Sequence, residues 1–378
     1  MLKLCGDNRN KSFPVSVSMT DGSCALGSSS RGYAIINASL ISTGVATPVF
    51  QVSQADAFAH SGYQDEATRR IFLRAGIEYR HFYFQNGIRI DEDSDGLNRR
   101  YVRGAMEIGC RAVRKCLEFA SLSERDIDLF VLCSSTGYSC PDIASRLIGH
   151  MGFRSGIQRA PILGLGCGGA LPSLQRASDF VRTHIGQIAL VLTVEICSAC
   201  YYRDDTLETV IGNAICADGA AAALLIAGAQ PDPPFPEIVD FESFIDPEHL
   251  GSVGFEHRDG KLRIVLGSEV RQLAPGLMEG ALHPLLTRNN LRQSDIRFWV
   301  VHPGGRRVID SVQKHLNLSD SELQFSRDVL RNYGNMSSAT AMFVLHEVVH
   351  NGKPKAGDWG VMAALGPGMA AEAALLRW

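Results

Sequence analysis

From about residue 34 onward, short aliphatic runs alternate with longer stretches that place apolar residues at helical spacing. "AIINASLIS", "LFVLCSST", "PILGLG", "IALVLTVE" and "AAAALLIAG" have strand length and are bounded by turn-forming residues. Residues 101–120 and 171–184 have the pattern of helices. A further helical pattern follows Asn335 in "YGNMSSATAMFVLHEVVHNG" and ends at Gly352, a natural C-terminal glycine. This alternation predicts βαβ units and an α/β fold class. The opening residues are rich in Ser, Gly, Asn and Asp and read as a flexible leader. "AQPDPPFPE" at 229–237 predicts a boundary, because prolines at that density continue neither helix nor strand. The expected organisation is a leader at 1–34 and two units at 35–228 and 229–378.

The second unit echoes the first. "SERDIDLFVLCSSTG" at 123–137 and "RQSDIRFWVVHPGG" at 292–305 share an Asp-Ile pair followed by an apolar strand. Cys133 stands seven places after Asp126, and His302 seven places after Asp295. Two like-folded halves packed together would bring equivalent strand ends to their junction, where sites in α/β sheets form.

The net charge of −3 and the lack of a basic run give no reason to expect nucleic acid as partner. The start is too polar for a signal peptide, and the longest aliphatic stretches fall short of a membrane span. The expectation is a soluble cytoplasmic protein whose ten cysteines are mostly reduced thiols and small buried hydrophobes. Only Cys197-x-x-Cys200 has metal-ligand or redox spacing, and no second pair complements it, so no metal site is expected.

Candidate chemistry concentrates in three stretches. In "PILGLGCGGALP", Cys167 sits among Gly164, Gly166, Gly168 and Gly169, between a predicted strand and a predicted helix. A helix N-terminus there would lower the thiol pKa and offer amides to an oxyanion. Alone, the stretch equally fits a small residue packed in a turn. Gly164-x-Gly166-x-x-Gly169 also matches a dinucleotide-binding fingerprint, with Glu195 placed for a ribose contact. His302 closes "FWVVHPGG" and is expected to project into a cavity, although a hydrogen-bonded structural histidine fits too. Asn335 reads either as an amide donor beside a histidine or as the N-cap of the following helix. Together these types form a kit for acyl transfer. A thiolate accepts an acyl group from a thioester, and histidine with asparagine polarises a second thioester carbonyl as malonyl decarboxylates.

These stretches resemble the type III polyketide synthases, the chalcone-synthase-like branch of the thiolase superfamily, from about residue 35 to the C-terminus. "GLGCGGA" is similar to the family's cysteine loop, "WVVHPGG" (ending at Gly305) to its histidine loop and "VLRNYGNMSSA" to its asparagine motif. "ADGAAAALL" and the closing segment with Gly366, Pro367 and Gly368 resemble two further signatures. The resemblance implies a thiolase-like fold, five-layered αβαβα with two pseudo-duplicated halves, and a homodimer. It implies malonyl-CoA and an acyl-CoA starter as substrates, with no bound cofactor. Cys167 would carry the acyl group, and His302 and Asn335 would promote decarboxylation.

Other positions carry over individually. Arg70 and Arg74 fall in the stretch that contacts coenzyme A phosphates, whereas Ala67 replaces a third basic residue. Tyr201 aligns with a gatekeeping phenylalanine and Cys197 with a cavity threonine. Cys140 aligns with the residue reaching across the dimer, and Ser268 with a second gatekeeper. The small-residue and cysteine substitutions look bacterial, fitting dihydroxyphenylacetyl-CoA, alkylresorcinol, alkylpyrone or tetrahydroxynaphthalene synthases. Two other classes remain in view: a nicotinamide-dependent oxidoreductase using the glycine fingerprint, and a non-catalytic scaffold of thiolase fold.

Overall fold

A computed structural model of the chain describes residues 36–83, 92–228 and 235–378. The expected leader lies outside the described residues, as does most of the proline-rich boundary. Nine strands form the central sheet: β1 (Ala38–Ala46), β2 (Leu129–Ser134), β3 (Gln158–Leu163), β4 (Ile188–Ile196), β5 (Asp218–Ala227), β6 (Glu237–Ile245), β7 (Ile296–Val301), β8 (Trp359–Gly366) and β9 (Ala370–Arg377). The helices that cover it or frame the site are α1 (Glu66–Leu73), α2 (Ser94–Ala120), α3 (Ile143–Met151), α4 (Ala170–Thr183), α5 (Val270–Arg288), α6 (Arg306–His315) and α7 (Ser338–Asn351). Each aliphatic run named in the sequence contributes to one of these strands. The helix expected at 101–120 starts earlier, because the Asp93 carboxylate caps the Gly96 N–H at 2.7 Å.

The sheet order is β7-β8-β9-β6-β1-β5-β4-β2-β3. Reading outward from its middle shows the duplication. β1 pairs antiparallel with β5, β5 antiparallel with β4, and β4 parallel with β2. β6 repeats this with β9, β8 and β7 in the same senses. The sequence echo maps onto the equivalent strands β2 and β7. Each follows a single turn closed by its aspartate, which accepts the N–H three residues upstream, Ser123 to Asp126 and Arg292 to Asp295, both at 2.8 Å.

Alternation along the strands sends side chains to three cores, two outer and one central, as expected where both sheet faces are covered. In the first half, Phe130, Leu132, Leu190 and Leu192 pack outward against Ile108 of α2 and Leu147 of α3. Val131 and Val191 face the other way, onto Leu171 and Leu174 of α4 and Met342 and Phe343 of α7. Val300 and Met362 of the second half meet those same two helices, while Trp299, Val301 and Val361 face α5 and α6. The layers therefore run α2/α3, sheet, α4/α7, sheet, α5/α6. This is the five-layered thiolase-like fold. Burying each large side chain in such a core contributes about 1.5–3 kcal/mol. The central α4/α7 layer matters most for function, because both helices begin beside the candidate residues.

Candidate active site

β3 runs into a tight turn at Gly166–Gly168, and α4 begins at Ala170, so Cys167 sits at a strand-to-helix junction. Glycine is required there by close approach. A Cβ at Gly169 would stand 2.4 Å from the Cys133 sulfur. One at Gly366 would lie 2.8 Å from the Gly168 nitrogen, and one at Gly166 would meet the Pro367 ring at 2.6 Å. Gly366, Pro367 and Gly368 thus brace the cysteine turn from β8, and Gly368 holds a left-handed φ of 77°. Packing against the turn is the role the geometry gives this loop.

His302 follows β7 directly. Its backbone N–H donates to the Ala363 carbonyl on β8 at 2.8 Å, and the side chain is 5% exposed. Neither ring nitrogen has a hydrogen-bond partner among the described residues. Buried histidines held for structure alone are usually hydrogen-bonded, so the bare ring favours a role toward a substrate. Two residues on, the Gly304 carbonyl accepts a 2.7 Å bond from Asn335 Nδ2. Gly305 caps α6 in extended conformation and leaves room: a Cβ there would meet only Ile215, at 3.7 Å.

Asn335 is bridged to the end of the first half, donating its N–H to the Ile215 carbonyl and accepting from the Ala217 N–H, both at 2.8 Å. The N-cap of α7 is Ser337, not Asn335. Asn335 Oδ1 accepts the Ser337 N–H at 2.8 Å and stands 4.0 Å from Cys167 Sγ. Ser337 Oγ lies 3.7 Å from the same sulfur. Cys167 and Asn335 are therefore in contact, and His302 joins them through Gly304.

Two features bear on what was expected of Cys167. Burial pushes its thiol up to about 12, opposed by the Ser337 hydrogen bond and reinforced by Cys216 and Glu195. The loop amides expected to hold an oxyanion are also engaged: the Gly166 N–H with Ser135 Oγ, Gly168 with Leu165 O and Gly169 with Gly166 O. Cys133, the counterpart of His302 in the sequence echo, is fully buried, with its thiol pushed up to about 12 by burial, and has no access to substrate.

Burial alone depresses His302 to about 4. An unfolded histidine titrates near 6.5, so between these values the unfolded chain binds more protons. Stability supplied by neutral His302 is complete above pH 6.5 and is lost as pH falls toward 4, by about 3 kcal/mol. His346, depressed to about 4 by burial and by His350 and Lys115, adds a similar slope. Urea unfolding at stepped pH should therefore show a shallower acid loss in His302→Asn than in wild type, with the His346 part retained.

Beside this group lies a chamber of about 40 Å³ whose walls include Arg80, Arg100, Cys197, Tyr201, Asn213 and Cys216. Neither Cys167 nor His302 lines it. The chamber touches the site through Cys197, whose Sγ is 4.0 Å from the Asn335 carbonyl, and through Cys216, which pairs with Asn335. Tyr201 is part-buried on its wall and donates its hydroxyl to the Ser61 carbonyl at 2.5 Å. Cys140 is exposed in the loop after β2, and Arg70 and Arg74 are exposed in and just after α1. Ser268 is exposed between the hairpin strand Lys261–Leu266 and α5, and no contact places it at the chamber.

Sequence reasoning missed several groups here. Arg80 is 2% exposed and donates Nη1 to the Asn213 and Cys216 carbonyls at 2.7 and 2.8 Å. Asp218 accepts from Ser198 and Tyr83, and burial pushes it up to about 6. The oxidoreductase alternative would give Glu195 a ribose contact. Glu195 is wholly buried, accepting from the Ser135 and Thr136 amides and from the Thr136 and Ser338 hydroxyls. With Glu195 committed and Gly166 and Gly168 pressed against the Gly366–Pro367 loop, a dinucleotide pyrophosphate has no room at Gly164–Gly169. Among the described residues no group of three or more His, Cys, Asp or Glu side chains could hold a metal ion.

Comparison with known proteins agrees with this architecture. Residues 37–232 match the family model described as FAE1/Type III polyketide synthase-like protein, and residues 242–378 match the C-terminal domain of chalcone and stilbene synthases. The chain is 30% identical over 349 residues to a 3,5-dihydroxyphenylacetyl-CoA synthase of Streptomyces toyocaensis, covering 90% of each. It is 31% identical over 331 residues to a 1,3,6,8-tetrahydroxynaphthalene synthase of Streptomyces peucetius subsp. caesius, covering 86% of this chain and 87% of that one. The crystal structure of PKS-I from the brown alga Ectocarpus siliculosus superposes with a TM-score of 0.85 at 26% identity, covering 92% of this chain and all of that one. Fold, motif order and full-length similarity coincide, and the chain belongs to the type III polyketide synthase family.

Proposed function

We propose that the protein builds a polyketide by iterative decarboxylative condensation of malonyl-CoA onto an acyl group held by Cys167, followed by cyclisation. The observation that carries this reading is the contact of Cys167 with Asn335, whose amide is fixed to the turn that follows His302. Neutral His302 accepts the thiol proton as sulfur attacks the starter thioester, and coenzyme A leaves as its thiol. Malonyl-CoA then takes its place. The amide of Asn335 has a second N–H besides the one given to Gly304, and His302, neutral again once its proton has left with coenzyme A, supplies its ring N–H as a further donor. Both donors aim at charge that develops on the thioester oxygen when carbon dioxide departs, where preorganised donors stabilise most. The resulting enolate attacks the acyl-Cys167 carbonyl and regenerates the thiolate. These steps call for coenzyme A thioesters and no cofactor.

The bacterial relatives direct the choice of product toward small aromatic rings such as dihydroxyphenylacetyl or tetrahydroxynaphthalene types, with alkylresorcinols and alkylpyrones as the longer-chain option. Incubation with malonyl-CoA alone, then with acyl-CoA starters of increasing length, tests this by mass spectrometry of the products. A polyketide from either set supports the reading. Intact substrates throughout would leave only a scaffold role.

Arg70 and Arg74 are assigned to the coenzyme A phosphates, a task suited to guanidinium groups. The Arg70→Ala/Arg74→Ala double variant is expected to raise KM for malonyl-CoA about tenfold at low salt, on the scale of 1.4 kcal/mol, with kcat little changed and the difference shrinking as salt is added.

The homodimer is assigned to β3, which ends the sheet and leaves Leu163 48% exposed, a template for a second copy. Cys140 would then reach the partner's cavity. Light scattering should give twice the chain mass for wild type and the single mass for Leu163→Arg.

A further inference from the structure

Two thiols on the chamber wall are unexplained by the reaction. The β4–β5 ladder pairs Ile196 with Asp218, so Cys197 and Cys216 follow its last rung, one residue short of standing opposite each other. The Cys197 and Cys216 thiols are within interacting reach of each other, and the Cys197 thiol donates to the Asn335 carbonyl at 4.0 Å. Both face the same chamber, and both flank Asn335. The neighbouring cysteines are held elsewhere: Cys200 donates to the Thr136 carbonyl at 3.2 Å, and Cys167 faces Asn335 and Ser337.

The two thiols differ in character. The interaction with Cys197, aided by the Arg80 guanidinium, holds Cys216 below the ordinary thiol range despite burial. The same interaction, with burial, keeps the proton on Cys197. Cys216 is also the more accessible, part-exposed where Cys197 is buried. A part-exposed sulfur beside a buried one, with a guanidinium next to the first, is the arrangement of an attacking and a resolving cysteine. Arg80 sits where it stabilises the first as an anion.

We propose that Cys197 and Cys216 form a dithiol site that a small hydroperoxide converts into an intramolecular disulfide. The Cys216 thiolate attacks one peroxide oxygen, the O–O bond breaks, and the other oxygen leaves as water or alcohol after taking up a proton. The Cys197 sulfur then displaces hydroxide from the resulting sulfenic acid. That hydroxide leaves as water with the Cys197 proton. Two thiols are oxidised by two electrons and one peroxide is reduced. The chamber has room for a few water-sized molecules and therefore for hydrogen peroxide.

The test reads a bond and not turnover, so it stands independently of the reaction assigned above. The full-length Cys167→Ala protein, which removes the other reactive thiol of the site, is exposed to hydrogen peroxide, alkylated and mapped by mass spectrometry without reductant. The expected result is a linked peptide pair joining Cys197 to Cys216, two fewer alkylation adducts at these positions, and recovery of both after dithiothreitol. In Cys167→Ala/Cys197→Ser, Cys216 should stop at a sulfenic acid that dimedone traps. If both thiols remain alkylatable while exposed Cys140 is oxidised, or if the cross-link joins other cysteines, the assignment is overturned.

Discussion

Cys167→Ala is expected to abolish acyl loading and product formation, with turnover reduced on the order of 10⁴-fold or more, the scale reached when an enzyme nucleophile is removed. The reason is geometric. Among the described cysteines, only Cys167 has Asn335 Oδ1 and Ser337 Oγ against its sulfur at 4.0 and 3.7 Å. Cys216 is the nearest substitute, but its carbonyl is tied to Arg80 and it lines the chamber behind Asn335. The fold should be undisturbed, because alanine fits wherever cysteine does and the turn depends on its glycines. Cys167→Gln provides the informative contrast. A glutamine carboxamide occupies much of the volume of an acylated sulfur, and His302 and Asn335 are untouched. This variant should release carbon dioxide from malonyl-CoA while forming no carbon–carbon bond. Carbon dioxide release and product mass, measured on the same sample, separate the two steps.

His302→Gln is expected to lower malonyl-CoA decarboxylation about 10²–10³-fold, the usual cost of losing one donor to a developing oxyanion. Among the described residues both ring nitrogens of His302 lack partners although the residue is only 5% exposed, which is a cost to the fold unless a substrate completes it. The substitution should act on kcat, because the donor matters most when charge develops. It should also slow acylation of Cys167, whose thiol needs a base when burial holds it at about 12. A variant that lost loading but kept decarboxylation would restrict His302 to proton transfer.

Much of this site was legible in the sequence because its residues stand where chain geometry is most constrained. Cys167 lies among glycines of which two answer to a specific neighbour, Gly166 to the Pro367 ring and Gly169 to the Cys133 sulfur. His302 ends a fully apolar strand before Pro-Gly-Gly. The Asp126 and Asp295 echo marks the same turn in each half, and the repeat of strand directions follows it.

What escaped the sequence depends on register between distant segments. Cys197 and Cys216 lie 19 positions apart and meet only because the β4–β5 ladder pairs Ile196 with Asp218. Arg80 comes from a short edge strand, Tyr79–His81, and no local pattern signals that it is buried under Cys216. Glu195 follows an aliphatic strand, as a ribose-binding acid does. Four hydrogen bonds from two other segments make it an internal anchor instead. The burial around the Cys167 thiol escaped for a related reason. Helix position is visible in the sequence, whereas the depth of surrounding protein is not.

The covalent step offers the most direct test. Rapid quenching of wild-type protein with an acyl-CoA starter, followed by peptide mass spectrometry, should find the acyl group on the peptide carrying Cys167 and show its release by hydroxylamine. Product formed while that peptide stays unmodified and another cysteine bears the acyl group would contradict the account.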